Sequence, residues 1–219
     1  MSDPIPESNE LPPCPPAAVS ALGAATVERL TAYGRLLATD GVVRGLIGPR
    51  EVPRLWDRHL LNCAAPAEAI PAGARVADIG SGAGLPGLVL ALVRDDIQVI
   101  LIEPLQRRCD FLNEAIRKLG LAGRVTVRRG KADLVPPAQA DIVTSRAVSA
   151  LDNLAAWSLP HCKVGGRLLA LKGQKAVEEI EAARPVLAKW GADADVKVIA
   201  CGESWLEQPV LLVAATRRR

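Results

Sequence analysis

The hydrophobic pattern changes character about a third of the way along the chain. Between residues 24 and 39 apolar positions recur at helical spacing through Val27, Leu30 and Leu37, and a second such pattern covers 51–65 through Leu55, His59 and Cys63. From residue 75 onward, short continuous apolar runs alternate with amphipathic stretches. The runs predict strands at 75–79, 97–102, 124–127, 141–145, 167–171, 196–200 and 210–214. The stretches between them predict helices at 86–93, 105–119, 150–159 and 174–189. Strands that do not alternate polar with apolar, and that are spaced by helices, belong to a parallel sheet covered on both faces. The expected fold is α/β, a doubly wound, mostly parallel sheet behind an N-terminal helical extension.

Residues 1–20 break this pattern. They hold six prolines, three acidic residues and no Lys or Arg, and read as a flexible arm. Residues 21–219 then form a single domain, with the helical extension over 21–70 and a Rossmann-like core over 71–219.

Composition mostly excludes. Of 219 residues 49% are hydrophobic and 23% charged, and the formal net charge is +3, which disfavours a disordered chain and announces no nucleic-acid partner. The longest unbroken aliphatic run, 88–93, is far short of the ~20 residues that span a bilayer. No membrane partner is expected. Five cysteines, odd in number, widely spaced and without a CxxC pair, make neither a zinc site nor a disulfide framework, so no metal is assigned. With no basic-then-apolar leader pattern at the start, the reading is cytoplasmic. Aromatic residues are scarce, Tyr33, Phe111 and four Trp, so a ligand has few rings to stack on. Trp56 and Phe111 lie on apolar helix faces and read as core. Charge is unevenly spread: residues 107–131 carry eight basic and two acidic side chains, and the chain ends on Arg217, Arg218 and Arg219. Such segments suit either RNA phosphates or a solvated face.

Candidate chemistry concentrates after the first strand, in Asp78-Ile79-Gly80-Ser81-Gly82-Ala83-Gly84-Leu85-Pro86-Gly87. Alternate glycines let a ligand approach bare backbone, and in a doubly wound sheet this turn lies at the carboxyl ends of the strands, where ligands bind. The segment contains GxGxxG as Gly82, Gly84 and Gly87, which raises a nicotinamide-dinucleotide oxidoreductase. Asp78 argues against it, because a pyrophosphate on this turn would be repelled. S-adenosylmethionine carries an ammonium group and no phosphate, and suits Asp78. Glu103 ends the second strand, 23 residues beyond Gly80, where a carboxylate accepts hydrogen bonds from a ribose diol in either cofactor class.

Several segments together resemble a known family. Arg54-Leu55-Trp56-Asp57-Arg58-His59-Leu60-Leu61-Asn62, the glycine loop through Gly87, Glu103-Pro104-Leu105 with Phe111-Leu112, Ser145-Arg146-Ala147 and Leu171-Lys172-Gly173 stand in the order found in bacterial 16S ribosomal RNA guanine-N7 methyltransferases. That family is also called glucose-inhibited division protein B. The resemblance runs from about Arg44 to the C-terminus. It implies a seven-stranded sheet of the S-adenosylmethionine-dependent methyltransferase type with an antiparallel hairpin at its C-terminal end. It also implies methyl transfer from S-adenosyl-L-methionine to N7 of one guanine in 16S ribosomal RNA, naked or within a partly assembled small subunit. Carried over by position, Gly80 and Leu85 lie in the cofactor loop, Glu103 takes the ribose and Ala132-Asp133 flank the adenine. Arg146 sits by cofactor and acceptor. Where the family usually has Arg-Ala-Glu this chain has Lys131-Ala132-Asp133, whose shorter carboxylate reaches less far.

The residues suit that chemistry. Guanine N7 offers an in-plane lone pair with no proton to remove, so no general base is needed and orientation carries the catalysis. Neither a Pro-Pro-aromatic clamp for exocyclic amines nor a Pro-Cys nucleophile for pyrimidine C5 follows the fourth strand, which ends Thr144-Ser145-Arg146. The expected catalytic residues are Arg146 and Lys172, holding guanine O6 or a phosphate and leaving N7 free. The expected cofactor contacts are Asp78, Gly80, Gly82, Gly84, Leu85, Glu103, Ala132, Asp133 and Arg146. His59 is read as packing against Trp56, the alternatives being a hydrogen bond within the helical prelude or a place in the cleft. His161 is given no role. The expected protein is a monomer. The cofactor loop alone equally permits a small-molecule O- or N-methyltransferase, and a nonenzymatic RNA-binding module would lack the cofactor altogether.

Overall fold

The structure is a computed structural model that describes residues 10–219. Seven strands form one sheet in the order β3-β2-β1-β4-β5-β7-β6. They are β1 (Arg75–Ile79), β2 (Gln98–Glu103), β3 (Val125–Arg129), β4 (Ala140–Arg146), β5 (Cys162–Lys172), β6 (Lys197–Cys201) and β7 (Val210–Thr216). The first five pair in parallel, and β7 runs antiparallel to both β5 and β6. A reversed β7 needs no crossover helix, only the short connection from β6.

The helices are α1 (Pro16–Leu22), α2 (Ala24–Leu36), α3 (Asn62–Ala64), α4 (Gly87–Val93), α5 (Gln106–Lys118), α6 (Leu151–Ser158) and α7 (Ala176–Lys189). They divide between the faces of the sheet. Val76, Val99 and Leu101 point to one side, into a core with α2, α4 and α5. Ala77, Ile79, Ile100 and Ile102 point to the other, into a core with α6 and α7. Successive strand residues alternate faces, and burial of both faces explains why the central strands read as unbroken apolar runs.

Chain order turns back between β1 and β4. From β1 the chain steps outward to β2 and β3, then returns to lay β4 on the other flank of β1. The loops after β1 and β4 therefore open beside one another at the switch point, where doubly wound sheets bind ligands.

Two sequence readings are corrected here. Residues 10–20 are not a free arm: Pro16–Leu22 is helical, Leu11 lies against Gly34, and Trp56 donates its indole N–H to the Pro12 carbonyl at 2.7 Å. A proline can open a helix because its missing N–H would be unpaired there anyway. Residues 1–9 of the expected arm lie outside the described residues. The helix expected over 51–65 is wound unevenly: a 3₁₀ stretch (Pro49–Arg54), a π-helical stretch (Leu55–Leu61), α3 and a second 3₁₀ stretch (Ala65–Ala69). Pro53 inside the first stretch removes a donor from the regular ladder.

Most of the basic side chains in 107–131 hold the fold together. Arg124 donates to the carbonyls of Ala91 and Arg94 at the C-terminal end of α4, where a cation suits the free carbonyls. Lys118 pairs with Glu114 and Asp40, Arg108 lies near Glu103, and Arg129 bonds Gln106. The C-terminal arginines do similar work: Arg217 covers the Trp190 ring, Arg218 pairs with Asp195, and Arg219 donates to the Lys189 carbonyl closing α7. These charges are spent on protein groups, which the sequence pattern does not reveal.

Candidate active site

The loop after β1 takes left-handed backbone at alternate positions, φ +68° at Gly80, +58° at Gly82 and +96° at Gly84. Glycine adopts these angles without strain. Asp78, fully buried beneath the loop, accepts the Gly87 N–H on Oδ2 at 3.0 Å. Its Oδ1 is buried without a hydrogen-bond partner among the described residues. Burial pushes the Asp78 carboxyl up to about 7, against the downward pull of the Gly87 N–H, Ser81 and the Arg146 charge. A Cβ at Gly87 would lie 2.7 Å from Asp78 Oδ2, so the close approach itself requires glycine.

Glu103 fastens the other side of the loop. Its side chain is fully buried; Oε2 accepts the Gly82 N–H at 2.9 Å and Oε1 the Leu105 N–H at 3.0 Å. Arg108 Nη1 stands 3.7 Å away, across the carboxylate. A third tie comes from the helical extension, where buried Tyr33 donates its hydroxyl to the Ala83 carbonyl at 2.5 Å.

A cavity of about 380 Å³ opens on this loop, lined by Gly80, Gly82 and Leu85 together with Glu51, His59 and Arg146. The structure thus gathers Gly80, Gly82, Leu85 and Arg146 as expected, with Glu103 tied to Gly82 beside them. Gly84 is packed elsewhere, its absent Cβ within 2.4 Å of Leu88 and 3.0 Å of Tyr33. Ala132 and Asp133, in the connection after β3, do not line the cavity. Asp133 is exposed, and Ala132 presents its carbonyl to His161 Nε2 at 2.7 Å. His161 Nδ1 in turn accepts the Ala138 N–H at 3.1 Å. One ring so ties both ends of this connection to the start of β5, a role that depends on distant partners and leaves no local sequence signal.

Arg146 ends β4 and reaches back to the helical extension. Nη1 donates to the Arg58 carbonyl and Nη2 to His59 Nδ1, both at 2.9 Å. Arginine has only donors, so Nδ1 is the acceptor and the ring proton sits on Nε2, which donates to Glu51 Oε2 at 2.8 Å. Burial foremost holds His59 below its usual 6.5, with the Arg146 and Arg58 charges adding to it and Glu51 opposing. His59 thus takes both alternatives to a packing role, a hydrogen bond within the helical extension and a place in the cleft, on a π-helical stretch whose wider turn departs from regular α-helical register. Glu51 was not singled out from the sequence either.

Lys172 ends β5 and lines a second cavity of about 350 Å³, together with Arg146, Ala147 and Asn62. Its ammonium is already engaged, 2.7 Å from both the Ser149 carbonyl and Glu179 Oε2. Glu179 Oε2 also accepts the Leu151 N–H that opens α6. Lys172 therefore ties down the loop after β4, and it is not the free cation that the sequence suggested. The two cavities share Arg146 and Ala147, the latter at a left-handed φ of 55°.

A family model described as "GidB: rRNA small subunit methyltransferase G" matches residues 26–204. The chain belongs to this family. Among curated members of the rRNA small subunit methyltransferase G family, one from Mycobacterium sp. (strain KMS) is 55% identical over 191 residues, covering 84% of this chain and 83% of its own. One from Salinispora tropica is 53% identical over 195 residues, covering 86% and 80%. Solved structures share the fold. A putative S-adenosyl-L-methionine-dependent methyltransferase from Methanococcus maripaludis aligns with a TM-score of 0.58 at 16% identity, over 87% of this chain and 94% of its own. TYW2 of M. jannaschii, in complex with AdoMet, aligns at 0.56 and 21% identity, over 70% and 72%.

Proposed function

We propose that this chain methylates N7 of one guanine in small-subunit ribosomal RNA, with S-adenosyl-L-methionine as methyl donor. Family membership supports the rRNA methylation, and the observation that carries the reading to a site is the pair of cavities meeting at Arg146. The residues fit the donor molecule. The 380 Å³ cavity is walled by glycine backbone, the fully buried Glu103 carboxylate beside Gly82 accepts only one N–H on each oxygen, and Asp78 Oδ1 is a buried acceptor still without a donor. Glu103 would hold the ribose and Gly80, Gly82 and Leu85 the body of the ligand, while Ala132-Asp133, outside the cavity lining, are assigned to the adenine by the family resemblance alone. When bound, S-adenosylmethionine supplies a methyl group on a sulfonium, open to in-line displacement by a lone pair.

What the chain itself does is position and neutralise. N7 already presents its lone pair, so no side chain is required to take a proton, and none of the cavity residues stands as a base. Arg146, fixed by His59 and the Arg58 carbonyl, faces both cavities as a donor-only group suited to guanine O6 or a phosphate. Holding two reactants in register is worth up to about 7–11 kcal/mol of barrier. Because N7 lies in the deep, narrow groove of A-form RNA, the substrate guanine is unpaired or extruded. We place the protein in the cytoplasm, acting as a monomer, with Lys172 supporting the acceptor side.

Labelled methyl transfer to small-subunit rRNA tests this directly. N7-methylguanine at a single position, lost when that guanine is replaced, is the expected result. Transfer to a metabolite that is indifferent to salt, with none to rRNA, would establish a small-molecule enzyme instead, since RNA binding weakens steeply as salt rises.

A further inference from the structure

The 350 Å³ cavity contains two polar side chains, Asn62 and Ser149, that make no hydrogen bond among the described residues. Asn62 follows the π turn, three residues beyond His59, and positions three apart lie on one side of a helix. His59 accordingly lines the cavity on the glycine loop and Asn62 lines its neighbour. The Asn62 amide is half-buried and makes no hydrogen bond among the described residues. Of the two cations around this cavity, Lys172 is held by Glu179 and the Ser149 carbonyl, and Arg146 gives one N–H from each terminal nitrogen to Arg58 and His59, which leaves it further N–H groups for a ligand. Leu154, Leu171 and Val210 supply apolar wall. An apolar slot with an unpaired amide and an unpaired hydroxyl is the shape of a small-ligand site.

Resting on the guanine-N7 reading above, we infer that this cavity receives the substrate guanine and that Asn62 reads its donor edge. For N7 to meet the donor methyl in the adjoining cavity, the N7/O6 edge must turn toward the shared Arg146–Ala147 boundary. The N1–H and 2-amino donors then face away from that boundary and require an acceptor. Arg146 and Lys172 carry none; Ser149 stands two residues beyond Ala147 in the loop that forms that boundary, whereas Asn62 comes from the helical extension and offers an amide oxygen that only accepts. Adenine has a bare acceptor at N1 and no 2-amino group, so an acceptor at this position rejects it. Asn62 is thus a specificity-determining residue, and the methyl transfer itself needs nothing from it.

The experiment pairs enzyme variants with base analogues at the mapped target nucleotide: guanine, inosine, which lacks only the 2-amino group, and 1-methylguanine, which keeps O6 but has no N1–H. Wild-type protein is expected to lose about 10-fold or more in kcat/KM on at least one analogue, the usual size of one lost base contact. N62L is expected to be slower on guanine and to treat guanine and that analogue within about twofold of each other, while N62D, which keeps an acceptor, retains the wild-type preference. Because the readout is a ratio within each variant, a partly unfolded N62L does not mimic it. An N62L preference equal to that of wild type, or a wild type indifferent to both analogues, overturns the inference. Failure of wild type to methylate guanine N7 at all overturns the underlying reading instead.

Discussion

His59 Nδ1 accepts a hydrogen bond from Arg146 Nη2 at 2.9 Å while its Nε2 donates to Glu51 at 2.8 Å. The chain so formed links the helical extension to the end of β4. It works only with a neutral imidazole, because a proton on Nδ1 would face the guanidinium.

That geometry gives the activity an acid limb. His59 lies below 6.5 in the folded protein, so it is neutral near pH 7 and charges only in more acidic solution. Activity on RNA is expected to be level from about pH 7 to 8 and to fall only in solution more acidic than the ordinary histidine value of 6.5. Glu51 raises the His59 pKa, so E51Q should move the limb to lower pH. A limb that moves upward would contradict the assignment. H59A should lower kcat on RNA about 10–100-fold through a misplaced Arg146, with little change in KM for the cofactor.

Lys172 and Glu179 should behave as one unit. If Lys172 acts by holding the loop after β4, K172A and E179A lose activity to similar extents, and the double variant loses little more than either. Were Lys172 to grip the substrate itself, E179A would leave activity nearly intact. A double-mutant cycle on kcat/KM separates the two outcomes.

The Tyr33 hydroxyl is a remote support of the glycine loop. Y33F keeps the ring in its fully buried position and removes only the bond to the Ala83 carbonyl. Stability should fall by about 1–2 kcal/mol in a denaturant titration, and the cofactor Kd should rise, because the loop loses one of its ties. An unchanged Kd would show that Asp78 and Glu103 alone shape the loop.

His161 makes stability depend on pH. Burial lowers its pKa from 6.5, so its contribution is fully present above 6.5 and is lost as pH falls through the folded value. Wild-type Tm should decline in acid more steeply than that of H161A, and near pH 7.5 H161A should be less stable by about 1–3 kcal/mol. Parallel Tm curves would rule this staple out.

The sheet was legible in the sequence because both of its faces are buried: β1 falls at 75–79 as expected, and β2 and β4 fall within one residue of their apolar runs. Local signals also pointed to the glycine turn and Glu103, while Arg146 was singled out through the family resemblance. What periodicity could not show was how wide each helical turn is wound, and His59, read as a packing residue, stands in the cleft on a π-helical stretch. Partnerships between distant positions were equally invisible. Arg146 with His59, Lys172 with Glu179 and His161 with Ala132 depend on crossovers of the sheet, and a basic count over 107–131 cannot tell a capping Arg124 from a free cation. Proline content suggested an arm where Pro16 in fact opens a helix and Pro12 accepts a bond from Trp56.

The most direct measurement is the N7 methylation of small-subunit rRNA from cells with and without this protein, read nucleotide by nucleotide by reduction and strand cleavage at 7-methylguanine. One guanine should lose its methyl group in the absence of the protein and regain it with wild type, and regain far less with R146A. An identical cleavage pattern in the two RNAs would contradict the account.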